Sequence, residues 1–375
     1  MADNNDKPKV IVLGGCGFIG RNLVAYLVSN DLISYLRIVD KVPPQTAWLS
    51  TRHKKYFEDP RVEFKSANLI IPESCQNAFA GELFDYVINC AGETKLGQTE
   101  PIYREGILKL SLNCAELAAK QKCKRFVEIS SGQMASNDKE KHKESDKCDP
   151  WLSIAKFKLQ VEEQLEEIEG LNYTVLRPAI VYGIGDRTGI VPRLVLGAVY
   201  RHLGESMKLL WGRDLVTNTC HVDDVCRAVW HVAVRGGEGG GGGGGSHVYN
   251  VVDDSQSTQG SLSDLVSEMF NINHDYYGNL ISKIAKVEMS TVVDEVNDKH
   301  LAPWAELCAL GGVNNTPLSP YIQQELMYEK HLNLDASKLA ATGFQLAVPR
   351  VTKKALQEIL DDHIEMNLFP NVFAC

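Results

Sequence analysis

The stretch Lys9-Val-Ile-Val-Leu-Gly-Gly-Cys-Gly-Phe-Ile-Gly20 combines a short apolar strand, a glycine-rich turn and the beginning of a helix. Gly14 permits the tight turn, Gly17 lets the backbone approach a pyrophosphate, and Gly20 allows the helix to pack closely against the strand. Free amide groups at the positive end of that helix attract phosphate oxygens. The stretch therefore predicts a unit that binds a dinucleotide.

A carboxylate at the end of the second predicted strand supports the same interpretation. Asp40 follows a strand over residues 36–39 and lies twenty residues after Gly20, where an acidic side chain binds both ribose hydroxyls. A carboxylate attracts the free 2′-hydroxyl of NAD and repels the 2′-phosphate of NADP, so we expect NAD and disfavour NADP. Arg37 and Lys41 are near enough in sequence to soften this preference.

Short apolar strands alternate with helix-length segments through the first half of the chain. Between the strands lie helical patterns over residues 107–120 and 155–168. This alternation predicts an α/β fold with a Rossmann-type, doubly wound parallel sheet that is covered on both faces. The predicted strands cover residues 10–13, 36–39, 62–64, 86–90, 126–129 and 173–176.

The second half changes character. We expect residues 8–180 to form an NAD-binding domain and residues 181–369 a smaller, mainly helical substrate lobe, from which some strands return to the main sheet. The glycine run 236–245 is interrupted only by Glu238, and glycine loses the most backbone entropy on ordering, so a flexible loop is expected there. Helical patterns in this half cover residues 262–270, 322–329 and 353–366.

Composition excludes several classes of protein. The net charge of −9 over 375 residues and the absence of long basic runs argue against nucleic acid as the main partner. Ten cysteines show neither CxxC pairs nor zinc-type spacing, which predicts a reduced, intracellular protein without a structural metal. The polar first residues and the lack of a long apolar run predict a cytoplasmic protein with no membrane span.

The spacing Gly-x-x-Gly-x-x-Gly from Gly14 to Gly20 resembles the short-chain dehydrogenase/reductase superfamily. Further motifs resemble its extended branch, the NAD-dependent epimerases and dehydratases. Leu176-Arg-Pro-Ala-Ile-Val-Tyr-Gly-Ile-Gly-Asp-Arg187 is similar to the family's LRPxxVYGPGDR segment, and Asn89-Cys-Ala-Gly92 is similar to its strand-four loop. The likeness covers about residues 8–345 and extends to His221-Val-Asp-Asp224, Asp335-Ala-Ser-Lys338 and Gly343-Phe344.

The resemblance implies roles for individual residues. Asn68 stands where an aspartate usually contacts adenine, Pro178 borders the nicotinamide, and Ser131 matches the substrate-binding Ser/Thr of the family. A small-molecule substrate, such as a nucleotide sugar, is implied as well. The cofactor site is expected to contain Gly14, Gly17, Phe18, Ile19, Gly20, Asp40, Asn68, Leu69, Cys90, Ala91, Gly92, Lys158 and Pro178.

The sequence departs from the family at its catalytic Tyr-x-x-x-Lys pair. Lys158 aligns with the lysine, whereas Ile154 stands where the tyrosine belongs. Residues four apart share one helix face, and an isoleucine there can neither donate nor accept a proton. No tyrosine occurs between residues 131 and 173, and the rival Lys156 would pair with Leu152, which is also inert. We therefore expect Ser131 and Lys158 as the surviving catalytic residues.

Three functions remain open. The first is an NAD(H)-binding protein that has lost the usual chemistry and acts as a sensor or assembly subunit. The second is an active nucleotide-sugar epimerase, dehydratase or reductase with a substitute acid/base. Candidates for this group are Tyr182, His221, Asp223 or a loop residue, and we interpret the three named residues first as packing and loop-organising residues. The third is an enzyme similar to 3β-hydroxysteroid dehydrogenases, disfavoured by the Gly-Asp-Arg that ends the LRP segment.

Relatives in this family often pair through a four-helix interface that includes the helix carrying Lys158, so a homodimer is a further open expectation. The acidic residues of that helix, which we expect to face outward, argue against a dry, apolar interface. They are Glu162, Glu163, Glu166 and Glu167.

Overall fold

The core of the protein is a seven-stranded sheet whose strands all run parallel. The computed structural model describes residues 7–135, 139–235, 247–277 and 288–372. The sheet contains β1 Lys9–Leu13, β2 Tyr35–Asp40, β3 Val62–Ser66, β4 Tyr86–Asn89, β5 Arg125–Ile129, β6 Tyr173–Pro178 and β10 Val248–Val251. Its order is β10-β6-β5-β4-β1-β2-β3, which confirms the predicted doubly wound α/β fold.

The helices follow the strands in alternation through most of the chain. They are α1 Phe18–Ser29, α2 Thr51–Phe57, α3 Pro72–Phe79, α4 Glu100–Tyr103, α5 Leu110–Lys120, α6 Ser153–Leu165, α7 Val191–Leu203, α8 Val222–Val234, α9 Gln259–Phe270, α10 Met289–Leu310, α11 Ser337–Ala341 and α12 Lys353–Glu365. A π-helical segment, Arg104–Lys109, joins α4 to α5. Short 3-10 turns cover Pro44–Thr46, Gly132–Met134 and Gln324–Met327.

Both faces of the sheet are buried, because successive side chains of a strand point to opposite sides. Val10 and Val12 belong to one hydrophobic cluster, whereas Ile11 and Leu13 belong to another. Residues of α1 and α8 complete the first cluster, and residues of α5 and α6 complete the second. The continuous apolar runs in the sequence thus reflect strands covered on both sides.

The chain after β6 builds a separate hydrophobic cluster from α7, α9, α10 and α12. Two small parallel pairs accompany it, β7 Ile180–Tyr182 with β9 Thr219–His221 and β8 Met207–Leu209 with β11 His274–Tyr276. β10 instead returns to the main sheet beside β6. The predicted glycine loop at 236–245 lies outside the described residues.

Two details of this half differ from the sequence expectations. The prediction of a helix over residues 322–329 is wrong, because only the 3-10 turn Gln324–Met327 forms there. The backbone of this segment bonds to distant side chains instead: Ile322 N donates to Asn297 Oδ1 at 2.7 Å, and Met327 O accepts from Trp211 Nε1 at 2.8 Å. The helix α10 was not anticipated, since Pro303 interrupts its helical sequence pattern.

Candidate active site

The turn after β1 is held in place by close backbone contacts that require glycine. Gly14 has φ +74°, and a Cβ added there would lie 2.6 Å from the backbone of Ala91. A Cβ on Gly20 would lie 2.3 Å from the carbonyl oxygen of Gly14. The loop after β1 therefore lies directly against the loop after β4, and α1 packs onto the turn itself.

The amino end of α1 is suited to bind an anion. Gly17 is the N-cap and offers no side-chain cap, and the first turn, which contains Phe18 and Ile19, carries no acidic residue. The first amide groups of a helix have no partner within the helix, so these are left for a pyrophosphate. Arg21 lies behind the loop and donates to the carbonyl groups of Cys16 and Gly17.

The buried Arg21 is a contributor that sequence reasoning missed. Its guanidinium, 2% exposed, also donates to the carbonyl groups of Ala47 and Trp48 at 2.7 Å. Burial, together with the nearby Arg187, lowers the pKa of Arg21 to about 10. The cation still adds positive potential behind the phosphate-binding turn. An arginine inside an otherwise apolar helix face was the signal that could have revealed it.

Asp40 is fixed at the carboxyl end of β2, beside the glycine turn. Its Oδ2 accepts from Cys16 N at 3.0 Å and its Oδ1 from Val42 N at 3.0 Å. Arg37 faces the other side of the sheet, as alternation along a strand requires, and donates to Glu63 at 2.6 Å. Arg37 is therefore committed elsewhere and does not counteract Asp40.

The ends of the neighbouring strands supply the remaining predicted cofactor contacts. Asn68, after β3, is exposed and accepts from Ile70 N through its Oδ1, while Leu69 is buried. After β4, Cys90 N donates to Leu13 O at 2.9 Å, which ties the Cys90–Gly92 loop to β1. The residues predicted around the adenosine thus all lie at the carboxyl ends of β1 to β4.

Lys156 and Lys158, the two candidate lysines, differ in exposure. Lys156 is exposed, whereas Lys158 is buried and its ammonium lies at the sheet ends. Lys158 Nζ donates to Glu128 Oε1 at 2.8 Å and to Ile129 O at 2.7 Å. A Cβ placed on Gly92 would lie 3.7 Å from this nitrogen, so the ammonium adjoins the loop after β4.

Glu128, which sequence reasoning overlooked, is the acidic partner of Lys158. It is fully buried in β5 and also accepts from Asn89 Nδ2 at 2.6 Å and from Ser111 Oγ at 3.2 Å. The register of β4 and β5 places Asn89 beside Glu128. A buried carboxylate needs such partners. A glutamate inside the short buried strand Arg125–Ile129 was the available signal.

The same buried group affects a neighbouring thiol. Burial raises the pKa of Cys90 to about 12, and the negative charge of Glu128 acts in the same direction while Lys158 opposes it. Cys90 therefore stays a neutral thiol rather than a nucleophile. In the loop after β4, Cys90 contributes packing and a backbone hydrogen bond.

The nicotinamide side of the predicted site contains Ser131, Ile154 and Pro178. Ser131 Oγ accepts from Gln133 N at 3.2 Å, and a Cβ on Gly132 would lie 2.9 Å from Pro178 O. The Gly132 backbone therefore lies close to the end of β6, and Ser130 N donates to Leu176 O at 2.8 Å. Ile154, half-buried in the first turn of α6, packs against the hydrophobic cluster that includes Phe157.

A second buried charge network lies further along α6. Ser130 donates to Glu162, and Arg177 donates to Glu162 Oε2 at 2.6 Å. The expectation that Glu162 faces outward is therefore wrong, since it is 7% exposed. Glu163, Glu166 and Glu167 are exposed, as expected. Glu162 lies inside because it is four residues from Lys158 and shares its helix face.

Of the substitute acid/base candidates, Tyr182 and His221 contact each other, with ring centroids 5.1 Å apart, and Asp223 is exposed. Tyr182 is fully buried in the cluster of α7 and α9, and burial raises its pKa well above the usual range. His221 Nδ1 accepts from Asp223 N at 3.2 Å and so caps α8. These residues stabilise packing and a helix start.

A carboxylate from the far end of the chain reaches the amino end of α6. Glu325 Oε1 accepts from Ser153 Oγ at 2.8 Å, and Glu325 Oε2 accepts from Ser153 N at 3.3 Å. Gln323 lies against the loop after β4, since a Cβ on Gly97 would lie 2.9 Å from its Oε1. No local sequence pattern predicts this contact, because it joins residues more than a hundred positions apart.

Within residues 7–135, 139–235, 247–277 and 288–372, no cluster of three or more His, Cys, Asp or Glu side chains is placed to hold a metal ion. Across those same ranges, every helix is too short or too polar to cross a membrane.

The sequence model of the NAD dependent epimerase/dehydratase family matches residues 10–251 of the chain, which is more than half of its length. The chain belongs to this family. The match includes the glycine turn, Asp40, the Asn89–Gly92 loop and Lys158. A search of curated proteins found no match.

Solved structures share the fold over nearly the whole chain. UDP-glucose 4-epimerase of Thermus thermophilus, in complex with NAD, is 20% identical, with 94% of this chain and 98% of that chain covered and a TM-score of 0.64. dTDP-glucose 4,6-dehydratase of Bacillus anthracis str. Ames, in complex with NAD, is 16% identical, with 96% and 97% covered and a TM-score of 0.67. UDP-glucose 4-epimerase of Thermotoga maritima, with UDP-glucose, is 20% identical, with 95% and 99% covered and a TM-score of 0.64. At these identities the likeness concerns the fold.

Proposed function

We propose that this chain binds NAD(H) but does not use the tyrosine–lysine proton-transfer route of its family, and that it serves as a redox-sensing or assembly subunit. One observation carries the proposal: Ile154 stands four residues before Lys158, and the Lys158 ammonium is bound by Glu128. The cofactor-holding groups are kept while the proton-transfer group is absent.

The residues present fit NAD. Glycine contacts leave room for a pyrophosphate at the amino end of α1, and Asp40 is held next to that turn by Cys16 N. A carboxylate there accepts from a free ribose 2′-hydroxyl but repels a 2′-phosphate. Because Arg37 is paired with Glu63 on the other face of the sheet, the preference for NAD over NADP is strengthened.

The missing chemistry is large enough to matter. General acid–base catalysis contributes about 10²–10⁴-fold to an enzymatic rate, and the isoleucine side chain contributes none of it. A ligand of the nucleotide-sugar class is supported by the solved relatives, whose names include UDP-glucose and dTDP-glucose. We infer that such a ligand binds next to the nicotinamide without efficient hydride transfer.

A second candidate function has one observation in its favour. Glu325 contacts Ser153, the residue next to Ile154, and so brings a carboxylate to the first turn of α6. An active nucleotide-sugar enzyme would use Glu325 as its substitute base. In that case Glu325→Gln abolishes turnover and Glu329→Gln, on an exposed residue of the same segment, leaves it intact.

Titration calorimetry and cofactor absorbance test the proposal together. We expect tighter binding of NAD(H) than of NADP(H). When the NAD-loaded protein meets UDP-glucose or dTDP-glucose, we expect neither NADH absorbance nor a new nucleotide-sugar product, and the product is followed because a turnover that returns its hydride leaves no net NADH. Equal or tighter NADP(H) binding contradicts the role of Asp40. Ordinary enzymatic turnover contradicts the loss of chemistry and favours the second candidate.

A further inference from the structure

The centre of the sheet contains a carboxylate whose role the family's chemistry does not explain. Glu128 is fully buried in β5, among strand neighbours that are buried and mostly apolar. Burying an unpaired carboxylate is costly, so this residue persists only together with its partners. Those partners come from three different elements: Asn89 of β4, Ser111 of α5 and Lys158 of α6.

The geometry of the lysine shows what the carboxylate does. An ammonium group has three donors. Among the contacts of the described chain, Glu128 Oε1 and Ile129 O take two of them, at 2.8 and 2.7 Å. One donor is left, on a nitrogen that adjoins Gly92 in the loop after β4. Ile154 cannot hold the ammonium, because it has no polar atom.

We propose that Glu128 is a positioning residue, which takes over the anchoring of Lys158 and presents its remaining N–H to the ribose on the nicotinamide side of NAD(H). The inference rests on the proposed NAD(H) binding. Glu128 is itself fixed by Asn89 and Ser111, so the lysine is ordered before the cofactor arrives. A free lysine would lose its rotamer freedom on binding, and prior ordering removes that cost.

The two halves of the cofactor provide the test. ADP contains the groups that the glycine turn and Asp40 bind, but it lacks the nicotinamide ribose, whereas NADH contains both. By calorimetry we expect Glu128→Gln to weaken NADH binding about tenfold, the scale of one charge-assisted hydrogen bond, and to leave ADP binding unchanged. Glu128→Asp, which keeps the charge and shortens the side chain, gives an intermediate loss and remains available if the glutamine variant does not fold.

A double-mutant cycle separates positioning from general stability. If Glu128 acts through Lys158, then Lys158→Met reproduces the NADH loss, and combining it with Glu128→Gln adds nothing further. Three results would overturn the inference. In the first, the losses of NADH affinity in the two single variants multiply in the double variant. In the second, ADP and NADH binding fall equally, and in the third, neither Glu128 variant loses NADH affinity. Failure of the parent protein to bind NADH while it binds ADP overturns instead the proposed function.

Discussion

At the scale of single residues, the site is defined by which side chain holds the Lys158 ammonium. Ile154 offers no hydroxyl four residues before Lys158, and Glu128 of β5 supplies a buried carboxylate to the ammonium. A tyrosine and a lysine four residues apart on a helix form a proton-transfer pair, whereas an isoleucine and a lysine do not. In the proposed function, this one position separates cofactor binding from chemistry.

Ile154→Tyr should restore the proton-transfer group without disrupting the fold. The position is half-buried, so the new hydroxyl costs about 1–3 kcal/mol unless it finds a hydrogen-bond partner. A domain with about 5–15 kcal/mol of stability tolerates that cost. We expect a folded, NAD-binding variant that gains hydride transfer with UDP-glucose, up to the about 10²–10⁴-fold that acid–base catalysis contributes. The nucleotide-sugar product, together with transient NADH absorbance, measures the gain.

Ile154→Phe is the matched control for this prediction, because it introduces the ring without the hydroxyl. It should bind NAD and show no gain in turnover. If the parent already turns over a nucleotide sugar and Ile154→Tyr slows it, the acid/base lies elsewhere and the lapsed-site interpretation is wrong.

At the scale of elements, α6 organises both buried charge networks. Ile154, Lys158 and Glu162 recur every four residues and therefore lie along one helix face. That face meets the carboxyl ends of β5 and β6, where Lys158 bonds to Glu128 and Glu162 bonds to Arg177. The helix is thus locked at two successive turns.

Glu162→Gln should destabilise the protein strongly. It leaves the buried Arg177 guanidinium, which is 4% exposed, without its anionic partner, and breaking one side of a buried ion pair costs about 3–5 kcal/mol. Glu163→Gln is the neighbouring control: its side chain is exposed, so the change stays within about 0.5 kcal/mol. Urea denaturation of both variants measures the difference, and equal midpoints would contradict the structural role of the pair.

At the scale of the whole molecule, three buried histidines lie in different parts of the fold. His53 bonds to Ser50 and Asn22 beside α1, and His363 of α12 bonds to the carbonyl of Asp186 at 2.7 Å. His300 of α10 bonds to Tyr200 of α7.

Burial lowers the pKa of His53 to about 3 and the pKa values of His300 and His363 to about 4. All three are neutral in the folded protein near neutral pH.

These histidines make the fold sensitive to mild acid. The unfolded chain takes up a proton at each near pH 6.5, whereas the folded state does so only near pH 3 to 4. Their stabilising effect is therefore complete above about pH 6.5 and falls as the pH drops towards the folded-state values, by about 1.4 kcal/mol per pH unit for each histidine. Urea unfolding at successive pH values should show this slope, and His363→Gln should reduce it. A flat profile between about pH 6.5 and 5.5 would refute the assignment.

The sequence by itself determined the fold class and the cofactor, NAD, and it predicts the residues that hold this cofactor. Apolar strands, the glycine turn and Asp40 are local patterns, since each depends on residues within one βα unit. Such patterns can be recognised without knowledge of the packing, because strand burial and turn geometry impose them on the local sequence directly. The absence of a tyrosine four residues before Lys158 was equally visible, because that spacing lies within a single helix.

Only the tertiary structure decided what surrounds that lysine. Glu128 lies thirty residues from Lys158 along the chain, and Glu325 is separated from Ser153 by 172. Such pairs depend on strand register and on where a distant segment docks, neither of which leaves a periodic signal in the sequence. The prediction that Glu162 faces outward was wrong for a related reason. Helix periodicity tells which side chains share a face, but packing decides which face is buried.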